Sequence, residues 1–240
     1  MSKSNLVRRA TLLAALTVTA AASGAQQASA VPPGTLPLTG LPAGAREAFL
    51  AGLDARYALV NMASVEHFNR ALQIDSTFGL ARIFRLEMTS GTLPFVAAEA
   101  ERASREGASR PAAEATVLSA VRGAGVTAAQ LFAAARAMLP NDRRIKLEHA
   151  AALVGEDRLD SLRSLIRQHA DWSVPRFWLA LYLSNSAYTA TSAQRYESLV
   201  QAEAAVRMEP RNAATHAILG HALHRLGRHD LAVCQRGNSG

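Results

Sequence analysis

Cysteine is nearly absent from this 240-residue chain, in which Cys234 is the single thiol. One thiol cannot form an internal disulfide, and this excludes a disulfide-stabilised scaffold. Fifteen glycines and nine prolines are too few for a collagen-like or proline-rich rod. Charged residues make up 19% of the chain and hydrophobic residues 49%, which is typical of a folded globular protein and excludes a wholly disordered one.

Lysine is also scarce, since only Lys3 and Lys146 occur and the other basic residues are arginines. The formal net charge is +7, but Lys3, Arg8 and Arg9 lie at the amino terminus, and the remainder has 23 basic and 19 acidic residues, a net of +4. No basic run interleaved with aromatic residues accompanies these charges. We therefore predict no nucleic-acid partner.

The first thirty residues have the composition of an export signal. Three positive charges precede an uncharged apolar stretch over 10–22, and Ala28-Ser29-Ala30 offers small residues at a cleavage position. Thirteen helical residues span about 20 Å, short of the roughly 30 Å hydrocarbon core, which favours cleavage over a membrane anchor. We predict a signal peptide over 1–30, cut between Ala25 and Ala30, and a periplasmic or secreted mature chain without a membrane span.

The next segment, 31–44, contains four prolines and three glycines and no charge, so we predict a Pro/Gly-rich linker. From Ala45 onward apolar residues recur at helical spacing, and alanine, leucine, arginine and glutamate dominate. No strand pair or hairpin signal interrupts this pattern. We therefore predict an all-α domain over 45–240.

Three segments of this domain share one spacing of residues at predicted helix ends. They are Phe68-x2-Ala71-x4-Ser76, Phe132-x2-Ala135-x4-Pro140 and Ala202-x2-Ala205-x4-Pro210. The intervals between them are 64 and 70 residues, and halving these gives periods of 32 and 35. Further helix ends are therefore predicted near Gly107 and Pro175. No single pair of helices in such a repeat buries its apolar faces, so we expect five stacked pairs and a remnant.

This spacing resembles the tetratricopeptide repeat family, whose unit is two antiparallel helices in about 34 residues. Gly52 lies 24 residues before Ser76, as the small first-helix residue of the family lies before its proline, and Ser64 and Ala128 occupy the small second-helix site. The last unit, from His216 to Leu223 and then Gly227 and Ala232, follows the family spacing most closely, although His216 stands where the family has tryptophan. The resemblance implies an α-solenoid of stacked antiparallel helix pairs, wound as a right-handed superhelix.

The carboxy terminus departs from the repeat after Ala232, where the chain reads VCQRGNSG. We expect the last repeat to be incomplete. A solenoid ordinarily ends in a polar capping helix, which covers the last apolar face. Our hypothesis is that the chain is a fragment, or the product of a frameshift or early stop, of a longer repeat protein, and sequencing through the stop codon tests it.

The resemblance also implies a concave groove lined by one face of each first helix. The matching residues are Arg46, Phe49, Arg56, Tyr57, Arg144, Leu147, Arg176, His221, His224 and Arg225. An apolar groove with arginines along it suits an extended or helical peptide that carries acidic groups. The same arginines could equally be solvated or paired with glutamates and aspartates of the chain itself.

The other candidate metal-binding, catalytic and carbohydrate-binding residues are interpreted as ordinary helix positions. Of His216, His221, His224 and His229, only His221 and His224 share a helix face, so we predict no metal site. We find no glycine-rich phosphate loop, no G-x-S-x-G elbow and no H-E-x-x-H motif, and therefore predict no cofactor and no enzymatic activity. Trp172, Phe177 and Trp178 favour core packing over a carbohydrate platform.

These observations together predict a non-enzymatic module that binds protein or peptide, as an adaptor or assembly factor. The alternative is a sensor or regulatory repeat portion of a larger enzyme or signalling protein. Neighbouring coding sequence would discriminate between the two.

Overall fold

The structure, a computed structural model, describes residues 32–89, 93–185, 190–229 and 231. These residues form eleven α-helices and no strand, which confirms the prediction of an all-α fold. The helices are α1 (Ala43–Tyr57), α2 (Asn61–Ile74), α3 (Gly79–Met88), α4 (Leu93–Gly107), α5 (Ala112–Arg122), α6 (Gly125–Met138), α7 (Arg143–Ala152), α8 (Gly155–Gln168), α9 (Val174–Asn185), α10 (Ser192–Met208) and α11 (Ala213–Arg225).

All eleven helices belong to one compact unit over 31–240. The predicted signal peptide over 1–30 and the predicted incomplete end after Ala232 lie outside the described residues. In the part of the chain that is described, no helix combines the length and the apolar character needed to cross a membrane.

The helices pack as consecutive pairs. α1 packs on α2, α3 on α4, α5 on α6, α7 on α8 and α9 on α10, and α11 follows on α10. Each pair also contacts the next one along the chain, for example α2 on α3, α6 on α7 and α8 on α9, while the first helices α3 and α5 meet, as do α9 and α11. The molecule is therefore an α-solenoid of stacked antiparallel helix pairs, as predicted.

The hydrophobic core runs across pair boundaries. One cluster of buried side chains extends from Leu36 through the first four pairs to Leu183 in α9. A second cluster joins α9, α10 and α11, and Trp178 packs against both. Because apolar side chains of successive pairs share these clusters, no pair closes its own core.

Small residues at the predicted positions bring the two helices of a pair close together. A Cβ atom on Gly52 would lie 2.5 Å from Cε1 of Phe68, so α1 and α2 can approach only because Gly52 lacks one. The Ser64 hydroxyl donates a hydrogen bond to the Gly52 carbonyl at 3.0 Å. In the fifth pair, the Ser198 hydroxyl donates in the same way to the carbonyl of Ala180 at 3.0 Å.

The second helices of four pairs end in the same turn. In each, the first N–H beyond the helix donates to the carbonyl four residues earlier at 2.9 Å: Asp75 to Ala71, Leu139 to Ala135, His169 to Leu165 and Glu209 to Ala205. The predicted helix end near Gly107 is confirmed, since α4 ends there. The predicted end near Pro175 is wrong, because α8 ends at Gln168 and Pro175 lies in the first turn of α9. Proline is tolerated in a first helical turn, where its missing N–H has no intrahelical partner.

The predicted linker is docked against the solenoid. Residues 32–42 contain no helix, and α1 begins at Ala43, two residues before the expected start. The backbone N–H of Asn141, in the α6–α7 turn, donates to the Gly34 carbonyl, and its side-chain amide donates to the Pro33 carbonyl, both at 2.9 Å. We call residues 32–42 the N-terminal strap.

Asp142 joins the strap to the start of α7. One carboxylate oxygen accepts a hydrogen bond from the backbone N–H of Leu36 at 2.9 Å. The other oxygen caps the helix by accepting from the backbone N–H groups of Arg144 and Ile145. Leu36 and Leu38 are buried in the main hydrophobic cluster, so the strap is held by apolar packing as well as by hydrogen bonds.

Candidate functional site

The ten predicted groove residues occupy three different environments. Phe49, Tyr57 and Leu147 are buried in the main hydrophobic cluster, so in this structure they contact the protein itself and do not line an open groove. Five are half-buried: Arg46, Arg56, Arg144, Arg176 and His221. His224 and Arg225 are exposed.

Arg56, at the end of α1, is surrounded by groups of the same protein. Its guanidinium forms one ion pair with Glu148 of α7 and another with Glu87 of α3 at 2.8 Å. The guanidinium carbon also lies 5.3 Å from the ring centre of Phe84. Sequence reasoning left open whether the groove arginines pair with acidic residues of the chain, and Arg56 does so twice.

Arg144, in the first turn of α7, is paired in the same way. It donates three hydrogen bonds to the two carboxylate oxygens of Asp54 in α1, at 2.8 to 3.0 Å. A fork of this kind fixes the orientation of both side chains. We call the two links between α1 and α7, Asp54 with Arg144 and Arg56 with Glu148, the clasp.

Three side chains at or beside the clasp have shifted pKa values: Arg56, Glu87 and Tyr57. Burial alone would lower the pKa of Arg56, but the Glu148 and Glu87 carboxylates beside it raise that pKa above its usual value. Burial raises the pKa of Glu87, which the Arg56 charge partly opposes. Burial and the Glu148 carboxylate raise the pKa of the Tyr57 hydroxyl well above its usual range. Tyr57 is therefore neutral, and the Arg56 guanidinium keeps its positive charge despite its burial.

Aromatic side chains pack next to the clasp residues. Tyr57 meets Trp172 edge to face, with ring centres 6.5 Å apart, and Arg143 lies over the Trp172 ring. Arg158 lies 4.1 Å from the ring centre of Tyr182 and donates a hydrogen bond to the carbonyl of Ala151. Trp172 is buried, which is the core role that the sequence favoured over a carbohydrate platform.

The predicted residues of the later pairs lie apart from the clasp. Arg176 donates a hydrogen bond to the side-chain carbonyl of Gln201 at 3.0 Å. His221, His224 and Arg225 share α11, where burial and the nearby Arg225 charge lower the pKa of His221. His224 and His229 are hydrogen-bonded through their Nδ1 atoms at 2.9 Å. Within the described ranges, no three histidine, cysteine or acidic side chains are placed to hold a metal ion.

An apolar groove of about 720 Å³ lies between the two ends of the array. One wall is the α1–α2 turn, 58–60, and the other is the α10–α11 turn with the start of α11, 209–214. We call it the turn groove. Most of its lining is apolar: Ala58, Leu59, Val60, Pro210, Ala213 and Ala214. Its volume falls in the range of ligand-binding clefts.

The α1–α2 wall contains a strained residue. Leu59 has a φ of 57°, which lies in the left-handed region of backbone conformation that residues other than glycine rarely adopt. At the corresponding turn after α11, Gly227 takes that conformation with a φ of 74°. Both turns close with the same bond, from Val60 N–H to the Ala55 carbonyl and from Arg228 N–H to the Leu223 carbonyl. Leu59 and Val60 remain 39% and 46% exposed.

Sequence reasoning missed both the partners of the arginines and the turn groove. Asp54, Glu87 and Glu148 were not singled out in the sequence, because no local pattern connects Asp54 with a residue 90 positions later. The groove walls are about 150 residues apart in sequence. The one local signal was the leucine in place of glycine at the α1–α2 turn.

No family model matches the chain, and no curated protein matches it. Among solved structures, the chain is similar to the one described as the crystal structure of MamA protein. The two are 12% identical, with 82% of this chain and 90% of that chain covered, and the TM-score is 0.32. A likeness this distant carries no functional assignment, so the function is argued from the molecule itself.

Proposed function

We propose that this chain is a non-enzymatic protein-binding module of tetratricopeptide type, which acts as an adaptor or assembly factor. The observation that carries the proposal is the turn groove, where exposed apolar side chains line a cleft of about 720 Å³. Exposed apolar surface gathered in a concave site is typical of places where proteins bind peptides or other proteins. The stacked pairs supply the rigid scaffold that holds its two walls.

The proposed partner is a peptide segment or helix edge that inserts apolar side chains between Val60 and Ala214. Burying such side chains would provide most of the binding free energy, since the lining has few polar groups. Arg211, exposed at the rim, suits an acidic residue of the partner. The clasp arginines are poor candidates for that role, because Arg56 and Arg144 are already neutralised by carboxylates of the chain.

We also propose that the protein acts outside the cytoplasm, on the basis of the export signal pattern over 1–30. Fractionation followed by amino-terminal sequencing of the mature chain tests this. A first residue between Gln26 and Val31 in the periplasmic or secreted fraction is expected. Recovery of the whole chain from the cytoplasm, beginning at Met1, would contradict it.

Val60→Asp tests the turn groove directly. A carboxylate at Val60 would have to be desolvated against apolar side chains, which we expect to weaken partner binding at least tenfold. The matched control is Val154→Asp, because Val154 lies in the α7–α8 turn outside the groove and is 74% exposed. Tagged wild type and both variants would capture partners from a periplasmic extract, and purified partners would then be titrated by calorimetry.

Two results would contradict the proposal. One is that wild type retains no protein reproducibly. The other is that Val60→Asp and wild type bind every captured partner with equal affinity. Circular dichroism of each variant checks that the helical fold is kept, so that a loss of binding is not a loss of structure.

A further inference from the structure

The turn groove has one wall on the first helix pair and the other on the α10–α11 turn. Its width therefore depends on where the end of α1 is held relative to the later pairs. Ala58, Leu59 and Val60 follow α1 directly, and two backbone bonds tie them to it: Leu59 N–H to the Arg56 carbonyl at 3.0 Å and Val60 N–H to the Ala55 carbonyl at 2.9 Å. The end of α1 and this groove wall are thus one rigid piece.

Both α1 residues of the clasp belong to that same piece. Asp54 and Arg56 lie in the last turn of α1, within six residues of Val60. Their partners Arg144 and Glu148 lie one turn apart on α7, in the fourth pair. The clasp therefore crosses two intervening pairs, α3–α4 and α5–α6, and fixes the end of α1 against a distant part of the array.

We propose that the clasp residues are positioning residues for the turn groove: Asp54 with Arg144, and Arg56 with Glu148, hold the α1–α2 wall at the spacing at which a partner binds. The inference rests on the proposed function of the groove. It adds the means by which the groove is kept open and pre-organised, a property that raises affinity by lowering the cost of ordering the site on binding.

The two ion pairs of the clasp differ in how strongly water and salt screen them. Asp54 is 55% exposed and Arg144 22% exposed, so water and salt screen that pair. The Arg56 and Glu148 side chains are only 19% and 8% exposed, which leaves their pair less screened. Glu87 also pairs with Arg56, so loss of Glu148 does not leave an unpaired buried guanidinium. The more exposed pair, Asp54 with Arg144, is the one to vary in an experiment, because changing it does not leave an unpaired charge buried.

The test measures the groove walls without a partner. Cysteines replace Met62, which is 76% exposed at the start of α2, and Arg211, exposed in the opposite wall, while Cys234→Ser removes the natural thiol. Spin labels on the two cysteines report the distance between the walls by double electron–electron resonance. Asp54→Arg, which places two guanidiniums opposite each other, is expected to lengthen and broaden this distance distribution. The exchanged variant Asp54→Arg with Arg144→Asp is expected to restore it.

Salt gives a second measurement on the unaltered clasp. Raising ionic strength from 0.1 to 1 M shortens the screening length from about 10 Å to about 3 Å, so the distribution should broaden. The control pair is Val126→Cys with Val154→Cys, both 74% exposed, in the third and fourth pairs. These two pairs pack directly on each other through α6 and α7, so their spacing does not depend on the clasp and the distance should not move.

An Asp54→Arg distribution identical to that of the parent protein would overturn the inference, as would failure of the exchanged variant to restore the distance. Neither result depends on a partner, so failure here leaves the Val60→Asp binding test standing. Conversely, if the distance between the walls changes with the clasp but Val60→Asp binds its partners as wild type does, only the proposed binding function is contradicted.

Discussion

Leu59 adopts a backbone conformation that residues other than glycine rarely take, as Leu38 in the N-terminal strap also does. For an L-residue with a side chain, the left-handed region costs about 1–2 kcal/mol, and Gly227 avoids this cost at the equivalent turn. Strained residues persist where the surrounding structure fixes them, and they concentrate at functional sites. Leu59 lies in the wall of the turn groove, so the strain falls at the site that we propose binds a partner.

Leu59→Gly should therefore stabilise the fold and weaken partner binding. We expect the free energy of unfolding to rise by about 0.5–1 kcal/mol, because relief of the left-handed strain outweighs the added entropy of glycine in the unfolded chain. Urea denaturation followed by circular dichroism measures this. The comparison is Gly227→Ala, whose new Cβ meets no atom of the described residues within 4 Å, so its expected loss of about 1–2 kcal/mol reports the backbone alone. A destabilised Leu59→Gly variant would contradict the strain argument.

At the scale of the helical element, the fold depends on small residues facing large ones within each pair. Gly52 faces Phe68, and the Ser64 and Ser198 hydroxyls each reach the carbonyl of the preceding helix. These contacts set the spacing of α1 and α2 and of α9 and α10. The spacing in turn places the apolar faces that successive pairs share.

Gly52→Ala tests this spacing. Alanine is the better helix former, yet its Cβ would lie 2.5 Å from Phe68, so we expect a net loss of about 1–3 kcal/mol in unfolding free energy. Gly44→Ala in the same helix is the control. Its Cβ would approach only the flexible end of Ile74, at 3.3 Å, and we expect no loss. Equal stability of the two variants in thermal and urea melts would refute tight packing at Gly52.

At the scale of the whole molecule, contacts far apart in sequence hold the first pair against the fourth. The clasp joins α1 to α7, and the N-terminal strap joins the chain before α1 to the α6–α7 turn. A repeat array in which each pair touched only its neighbours would lack these links. They give the molecule a defined spacing between distant pairs, and the turn groove depends on that spacing.

Asp142→Ala removes both the cap of α7 and the acceptor for Leu36 N–H. We expect a loss of about 2–4 kcal/mol, which combines a lost helix cap with a buried donor left unpaired. Asn212→Ala removes the cap of α11, through Ala214 N–H, and a half-buried hydrogen bond to the Glu209 carboxylate, but no bond to a distant segment, and should cost about 1 kcal/mol. Equal losses in the two variants would mean that the strap bond adds nothing to stability.

The all-helical class, the stacked pairs and the close approach at Gly52 could be predicted from the sequence, because helix propensity, apolar period and the need for a small residue are local properties. The boundary between α8 and α9 could not be predicted from the sequence, since proline at position 175 suits a turn and the first turn of a helix equally well. The candidate site was predictable only in part. The sequence identified Arg56 and Arg144 as candidates. Their pairing with Asp54, Glu87 and Glu148 depends on how tightly the array curves, which no local pattern indicates.

The sequence by itself determined that this chain forms helices, that the helices pair, and that a pair leaves an apolar face for its neighbour to cover, since these follow from the order of side chains over a few turns. Only the tertiary structure decided that Phe49, Tyr57 and Leu147 are core residues, that the clasp arginines are neutralised within the protein, and that a groove opens between two turns about 150 residues apart. The physical reason is that small rotations between successive pairs accumulate along a solenoid, and their sum is set by packing at every interface at once.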